Sequence, residues 1–289
     1  MMIPGLAYLL INNYLPMMGI VIAFKNINFT KGILNSDWAG LKNFEYLFKT
    51  TDARDITKNT LLYNFSFIVI NLVVAIGLAI IINEIRRKHI LKFFQSVVLL
   101  PYLMSTVIVG YLLFSFLSMD TGFMNKTVLP LFGAKEILWY SEPKYWPFIL
   151  TLVNTWKNAG YLCVVYYAAI IGIDKEYYEA ALVDGASRWQ QIRLITLPLI
   201  SNVIIIMTLL QIGRIFYADF GLFYQVPMDA GALQSVTNVI DTYVYRGLMK
   251  IGDIGMSSAA GFYQSIVGFL LVFVSNMIVR KIDNENALF

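Results

Sequence analysis

The chain has 289 residues, of which 58% are hydrophobic and only 14% charged, and its mean hydropathy is +0.65. Soluble domains carry about 25% charged residues, so this composition indicates a multi-spanning membrane protein. A dispersed net charge of +4 argues against a nucleic-acid partner, and one cysteine (Cys163) with one histidine (His89) leaves no basis for an intrachain disulfide, a metal cluster or histidine-based catalysis.

A helix needs about 20 largely apolar residues to cross the hydrocarbon core. Six segments are read as spans: 3–24, 61–82, 93–116, 146–173, 199–216 and 256–279. The first lacks a basic flank and a small-residue cleavage site, so it is expected to be a retained span and not a signal peptide. Pro16 and Pro101 fall inside spans and are expected to kink them. The segment "NEIRRKHILK", residues 83–92, holds four Lys/Arg in ten residues, and Arg280 and Lys281 follow the last span. By the positive-inside rule these segments face the cytoplasm, together with both termini. The same loop is expected to touch anionic lipid headgroups. The outer segments, 25–60, 117–145 and 217–255, are long and rich in Trp and Tyr. Two readings stay open there: an aromatic belt with short interfacial helices, or a surface that docks an external partner.

The fourth span contains "VNTWKNAGY". Lys157 stands 11 residues after Trp146, roughly 16 Å along a helix, and a lysine at such depth costs roughly 2.5–3.5 kcal/mol unless it faces protein or water. It is read either as a structural lysine bonded near Pro101 or, with Asn154, Trp156 and Tyr161, as lining a polar path. Span five ends in "QIGRIFYADF", which adds Arg214, Tyr217 and Asp219 as path candidates, with an Arg214–Asp219 ion pair as the alternative. Gln264, in the last span, completes this set.

Residues 174–198 separate spans four and five on the cytoplasmic side. Asp174 is placed to cap one short helix, Gly185 to end it, and Ser187-x-x-Gln190 to open a second with a capping box, ending near Ile195. Two short helices bent at Gly185 make a knuckle. Ala180 and Ala181 keep one face low in bulk, while Glu179 and Asp184 supply anionic anchors. The pattern Glu179-Ala180-Ala181, three residues, Gly185, nine residues, Ile195, one residue, Leu197-Pro198 resembles the coupling signature of binding-protein-dependent ABC importer permeases of the maltose-permease type. Residues 13–48, 239–249 and 274–282 are similar to the LplB-like carbohydrate-uptake branch of that family.

The resemblance implies an all-α integral membrane fold of the type I importer class, with a five-helix core, an N-terminal helix and a cytoplasmic coupling knuckle. It implies a single permease domain in a bacterial cytoplasmic membrane. The partners it implies are a second homologous permease, two cytoplasmic ATPase subunits and an extracellular solute-binding protein delivering an oligosaccharide or polysaccharide fragment. Residues 179–198 would dock on the ATPase. No Gly-x-x-x-x-Gly-Lys-Ser/Thr loop occurs, so ATP and Mg²⁺ are expected on the partner subunits, with no cofactor on this chain and no covalent chemistry. Alternatives are the same machinery for a non-sugar solute, or an ion-coupled secondary transporter, which would be expected to show inverted repeats and paired charges within the membrane.

Overall fold

Where the sequence runs apolar for twenty residues, the backbone closes its own hydrogen bonds as helix, as a bilayer interior requires. The computed structural model describes residues 2–49 and 51–282. Among these, three helices are long and apolar enough to cross a membrane unaided: α1 (Ile3–Phe24), the main part of α3 (Thr51–Asn83) and α12 (Ile254–Ile282). Between α1 and α3 lie a two-residue antiparallel pairing of β1 (Lys25–Asn26) with β2 (Asp37–Trp38), and the short amphipathic α2 (Lys42–Lys49).

Two expected spans depart from a single straight helix. The 93–116 run forms α4 (Lys88–Leu103) and α5 (Thr106–Leu117), bent by 96°. The bend is not at Pro101. It falls at Met104 and Ser105, both in extended backbone, after the Met104 N–H has closed the helix on the Pro101 carbonyl. His89 lies in the first turn of α4 and not in a loop, which shortens the basic connection. The fifth expected span, 199–216, keeps only α9 (Ser201–Ile212) as continuous helix, and a 60° bend joins it to α8 (Arg188–Leu199), which lies almost wholly before the run. The second knuckle helix therefore continues past Ile195 to Leu199. Its Leu-Pro step does not open a new span; the break comes at Ile200.

A common local device explains how three prolines are tolerated. Leu15-Pro16, Leu129-Pro130 and Leu197-Pro198 each follow a five-residue π-helical turn: Leu10–Tyr14, Met124–Val128 and Ile192–Thr196. Proline lacks an N–H and its ring crowds the carbonyl four residues back. A wider turn just before it moves that carbonyl aside, so Pro16 is absorbed into α1.

The centre of the fold is α6 (Trp146–Ile171), 26 residues and about 39 Å long. Asn154, Lys157 and Asn158 interrupt its apolar sequence, so protein neighbours must cover it. They do: α3 and α4 pack along its length. At one end Trp146, Leu150 and Phe223 are fully buried with Tyr63 and Phe67. Further along, Ala75 and Ala79 of α3 admit Cys163 and Tyr166 of α6 and Ile200 beyond α8. Gly160 brings α6 so close to α4 that a Cβ there would lie 1.8 Å from the Val98 carbonyl oxygen. Two short helices, α10 (Phe220–Gln225) and α11 (Ile240–Arg246), form in the 217–255 segment.

Candidate functional sites

The face of α6 formed by Asn154, Asn158 and Tyr161, at spacings of four and three, borders a cavity of about 490 Å³. This is within the roughly 300–1,000 Å³ typical of small-molecule sites. Four of the predicted path residues meet there: Asn154, Tyr161, Arg214 and Tyr217. The rings of Tyr161 and Tyr102 are stacked, with centroids 4.8 Å apart and 16° between planes. The close approach at Gly160 and the bend just beyond Tyr102 set that pair in place. Asn71 donates to the Asn154 side-chain oxygen at 2.9 Å, and the buried Asn71 Oδ1 has no donor among the described residues. Asn64 donates to the Ile215 and Tyr217 carbonyls at 2.8 and 3.3 Å, which fixes the turn that carries Arg214.

Sequence reasoning misses Asn64, Asn71 and Tyr102 as cavity residues. Asn64 and Asn71 are seven apart on α3, hence on one helical face, and two amides at that spacing in an apolar run are the available signal. Tyr102 carries none, because its place depends on the bend that follows it.

The other four path candidates lie outside the cavity. Trp156 is half exposed on another face of α6. Lys157 donates to the Thr106 hydroxyl at 2.6 Å, which ties α6 to the start of α5. Asp219 caps α10 by accepting from the Leu222 N–H at 3.1 Å, and it makes no ion pair with Arg214. Gln264 is buried and donates to the Phe216 carbonyl and to Asp241. Burial raises the Asp241 carboxyl above its ordinary range, against the opposing hydrogen bonds from the Ala218 N–H and Gln264.

The second site is the knuckle. The helix α7 (Lys175–Val183) starts where Asp174 accepts from the Glu176 N–H at 3.1 Å. It ends with Gly185 at φ +77°, the Gly185 N–H bonded to the Leu182 carbonyl and the Ala186 N–H to the Ala181 carbonyl. This is a Schellman closure with glycine in the left-handed position. No atom lies within 4 Å of where a Cβ at Gly185 would be, so backbone conformation and not space selects glycine. The predicted capping box is present: the Ser187 N–H donates to Gln190 Oε1 at 2.7 Å, and the Gln190 N–H reaches Ser187 Oγ at 3.4 Å.

Tyr178 and Thr196 share a hydroxyl–hydroxyl bond of 2.9 Å that braces α7 against the π turn of α8. Arg188 approaches Glu84, just past the end of α3, at 3.9 Å. The outward face is apolar with a polar border: Val183 and Trp189 are 88% and 70% exposed, beside exposed Leu182, Glu179, Ala180 and Asp184. Ile195, Leu197 and Pro198 form the inner leg, where the π turn meets the proline. The predicted motif residues thus occupy one continuous structure that rests on the ends of α3 and α6.

The family described as binding-protein-dependent transport system inner membrane component matches residues 73–284. The chain is 36% identical to the polygalacturonan/rhamnogalacturonan transport system permease protein YteP of Bacillus subtilis (strain 168), over 99% of this chain and 88% of that one. Protein LplB of the same organism is 34% identical, over 99% and 89%. The crystal structure of a bacterial ABC transporter involved in the import of the acidic polysaccharide alginate matches with a TM-score of 0.88 at 32% identity, covering 97% of this chain and 93% of that chain. A second structure of the alginate transporter, in complex with alginate pentasaccharide-bound periplasmic protein, matches with a TM-score of 0.87.

Proposed function

The chain belongs to the binding-protein-dependent transport system inner membrane component family, as a multi-pass permease component of an ABC importer, and from that premise we propose a cargo for it and a role for each of its parts. The cargo is an oligosaccharide or polysaccharide fragment, the class named for YteP and for the alginate transporter. An extracellular solute-binding protein delivers it, a reading supported by the complex of the alginate transporter with its pentasaccharide-bound periplasmic protein. Six spans cross the bacterial cytoplasmic membrane: α1, α3, the α4–α5 pair, α6, the α8–α9 pair and α12, with both termini in the cytoplasm. A second permease completes the translocation path. Two cytoplasmic ATPase subunits hold ATP and Mg²⁺, and this chain binds no cofactor and performs no covalent chemistry.

Residues 174–198 couple the ATPase to the path. The observation that carries this is the knuckle itself, an apolar face with a carboxylate border presented outward at the inner end of the bundle. Outside the spans, where lipid does not cover it, an exposed apolar patch with a polar rim marks an interaction surface. Movement of the knuckle pulls on the Tyr178–Thr196 brace and on the 60° bend at Ile200, hence on α9, whose far end carries the turn with Arg214. Alternating access follows from this bend and from the 96° bend between α4 and α5: bent helices pivot where continuous ones would have to deform.

The test is the ATPase rate of the complete transporter in lipid nanodiscs, with and without its binding protein loaded with oligosaccharide. Stimulation by the loaded binding protein is expected. An ATPase that ignores it, or uptake that follows an ion gradient instead, overturns the assignment.

A further inference from the structure

Resting on the reading of the 490 Å³ cavity as part of the substrate path, we propose that Arg214 is a specificity-determining residue of that path, reading the carboxylate of an acidic sugar. Among the described residues, Arg214 is the one charged side chain lining the cavity, and no Asp or Glu lines it. Its guanidinium makes no hydrogen bond or ion pair with any described residue. The nearest acid in sequence, Asp219, is occupied in capping α10. A buried or membrane-depth cation is ordinarily matched within its own chain; this one is exposed to the cavity and left for something that enters it.

The surroundings suit a sugar acid. Arginine presents a planar fork of donors that fits a carboxylate with two parallel hydrogen bonds, and its charge persists at all physiological pH. The stacked Tyr102–Tyr161 pair offers a flat apolar face to a pyranose ring. Amides of Asn64, Asn158 and Gln211 border the same space and can exchange hydrogen bonds with hydroxyls. A neutral sugar would leave the guanidinium without a partner of opposite charge, and a cationic solute would be repelled. The proposed ligand chemistry is therefore a uronate-bearing oligosaccharide.

The experiment uses the assembled transporter in nanodiscs without its binding protein, so that the binding protein's own selectivity does not enter. Saturation-transfer NMR titrations compare a galacturonic acid tetrasaccharide with its carboxyl-reduced, neutral counterpart, in wild type, Arg214→Gln and Arg214→Lys. The expected result is preference for the acidic ligand in wild type, lost by about tenfold in Arg214→Gln, the size of one charge-assisted contact, while binding of the neutral ligand stays the same. Arg214→Lys keeps part of the preference, since it retains charge without the fork. Added salt weakens acidic-ligand binding in wild type but not in Arg214→Gln. A wild type indifferent to the carboxylate overturns the proposal even if no variant assembles. Equal loss of both ligands in Arg214→Gln also overturns it and makes Arg214 a structural partner of the second permease. Failure here with ATPase stimulation intact leaves the importer assignment standing.

Discussion

Lys157 Nζ lies 2.6 Å from the hydroxyl of Thr106, the first residue of α5 after its 96° break from α4. The one lysine deep in α6 thus fastens the central helix to the start of the bent-away segment. Thr106→Val removes the acceptor and leaves an ammonium without it, which costs about 1–3 kcal/mol. Adding Lys157→Met to that variant removes the stranded charge, so the double variant is expected to be more stable than Thr106→Val alone. Thermal unfolding of the assembled complex in detergent measures this cycle. If Lys157 belongs to the path instead, Lys157→Met will lower transport at unchanged stability.

Gly185 tests the knuckle through backbone conformation alone. Its φ of +77° is strained for side chains with a Cβ, yet nothing lies near the space that Cβ would fill. Asparagine tolerates the left-handed region and β-branched residues do not. Gly185→Asn should keep most of the stimulated ATPase rate, while Gly185→Val should lose it with the permease still folded. Equal activity in the two would mean the bend at Gly185 is not what the ATPase recognises.

Gly160 offers a packing test with a built-in control. A Cβ there would meet the Val98 carbonyl oxygen at 1.8 Å, whereas one at Gly77 on α3 would meet nothing within 4 Å. Gly160→Ala must push α6 from α4 and is expected to cost about 1–3 kcal/mol or more. Gly77→Ala gains helix propensity, about 1 kcal/mol. Opposite shifts in the thermal midpoint are the expected outcome.

Between α10 and α11, Met228 and Asp229 both adopt positive φ, 54° and 47°. Their turn is held by Arg246, which reaches Asp229 at 2.6 Å, and by Lys250 at 2.8 Å. Burial acts to raise the Asp229 carboxyl, but the hydrogen bonds and charges of Lys250 and Arg246 outweigh it and hold it below its ordinary value. A carboxylate depressed in the folded state stabilises fully above its unfolded value, near 3.8, and that contribution is lost as pH falls through the lower folded value. Arg246→Gln should lower the midpoint at neutral pH, because a largely buried charged hydrogen bond is worth about 1.5–3 kcal/mol. It should also shrink the further drop on acidification to about pH 3. An unchanged acid response would show that the pair does not set it.

Much is legible in the chain before its helices are packed. The membrane class follows from composition, because a bilayer tolerates few charges. The knuckle follows from Asp174, Gly185 and Ser187-x-x-Gln190, since caps and left-handed turns are made by residues next to each other in sequence. What only the tertiary structure decided was which side chains share a space. Asn64, Tyr102, Asn154 and Arg214 meet because α4 breaks after Leu103 and α8 breaks at Ile200. Neither break sits on a proline: a π turn precedes Pro198 within α8, and Pro101 is buried inside α4. Lys157, Asp219 and Gln264 are polar in the same manner as the cavity residues, and periodicity could not separate them. Each was claimed by a partner remote in sequence or by a helix end, and those distances exist only after the helices have packed.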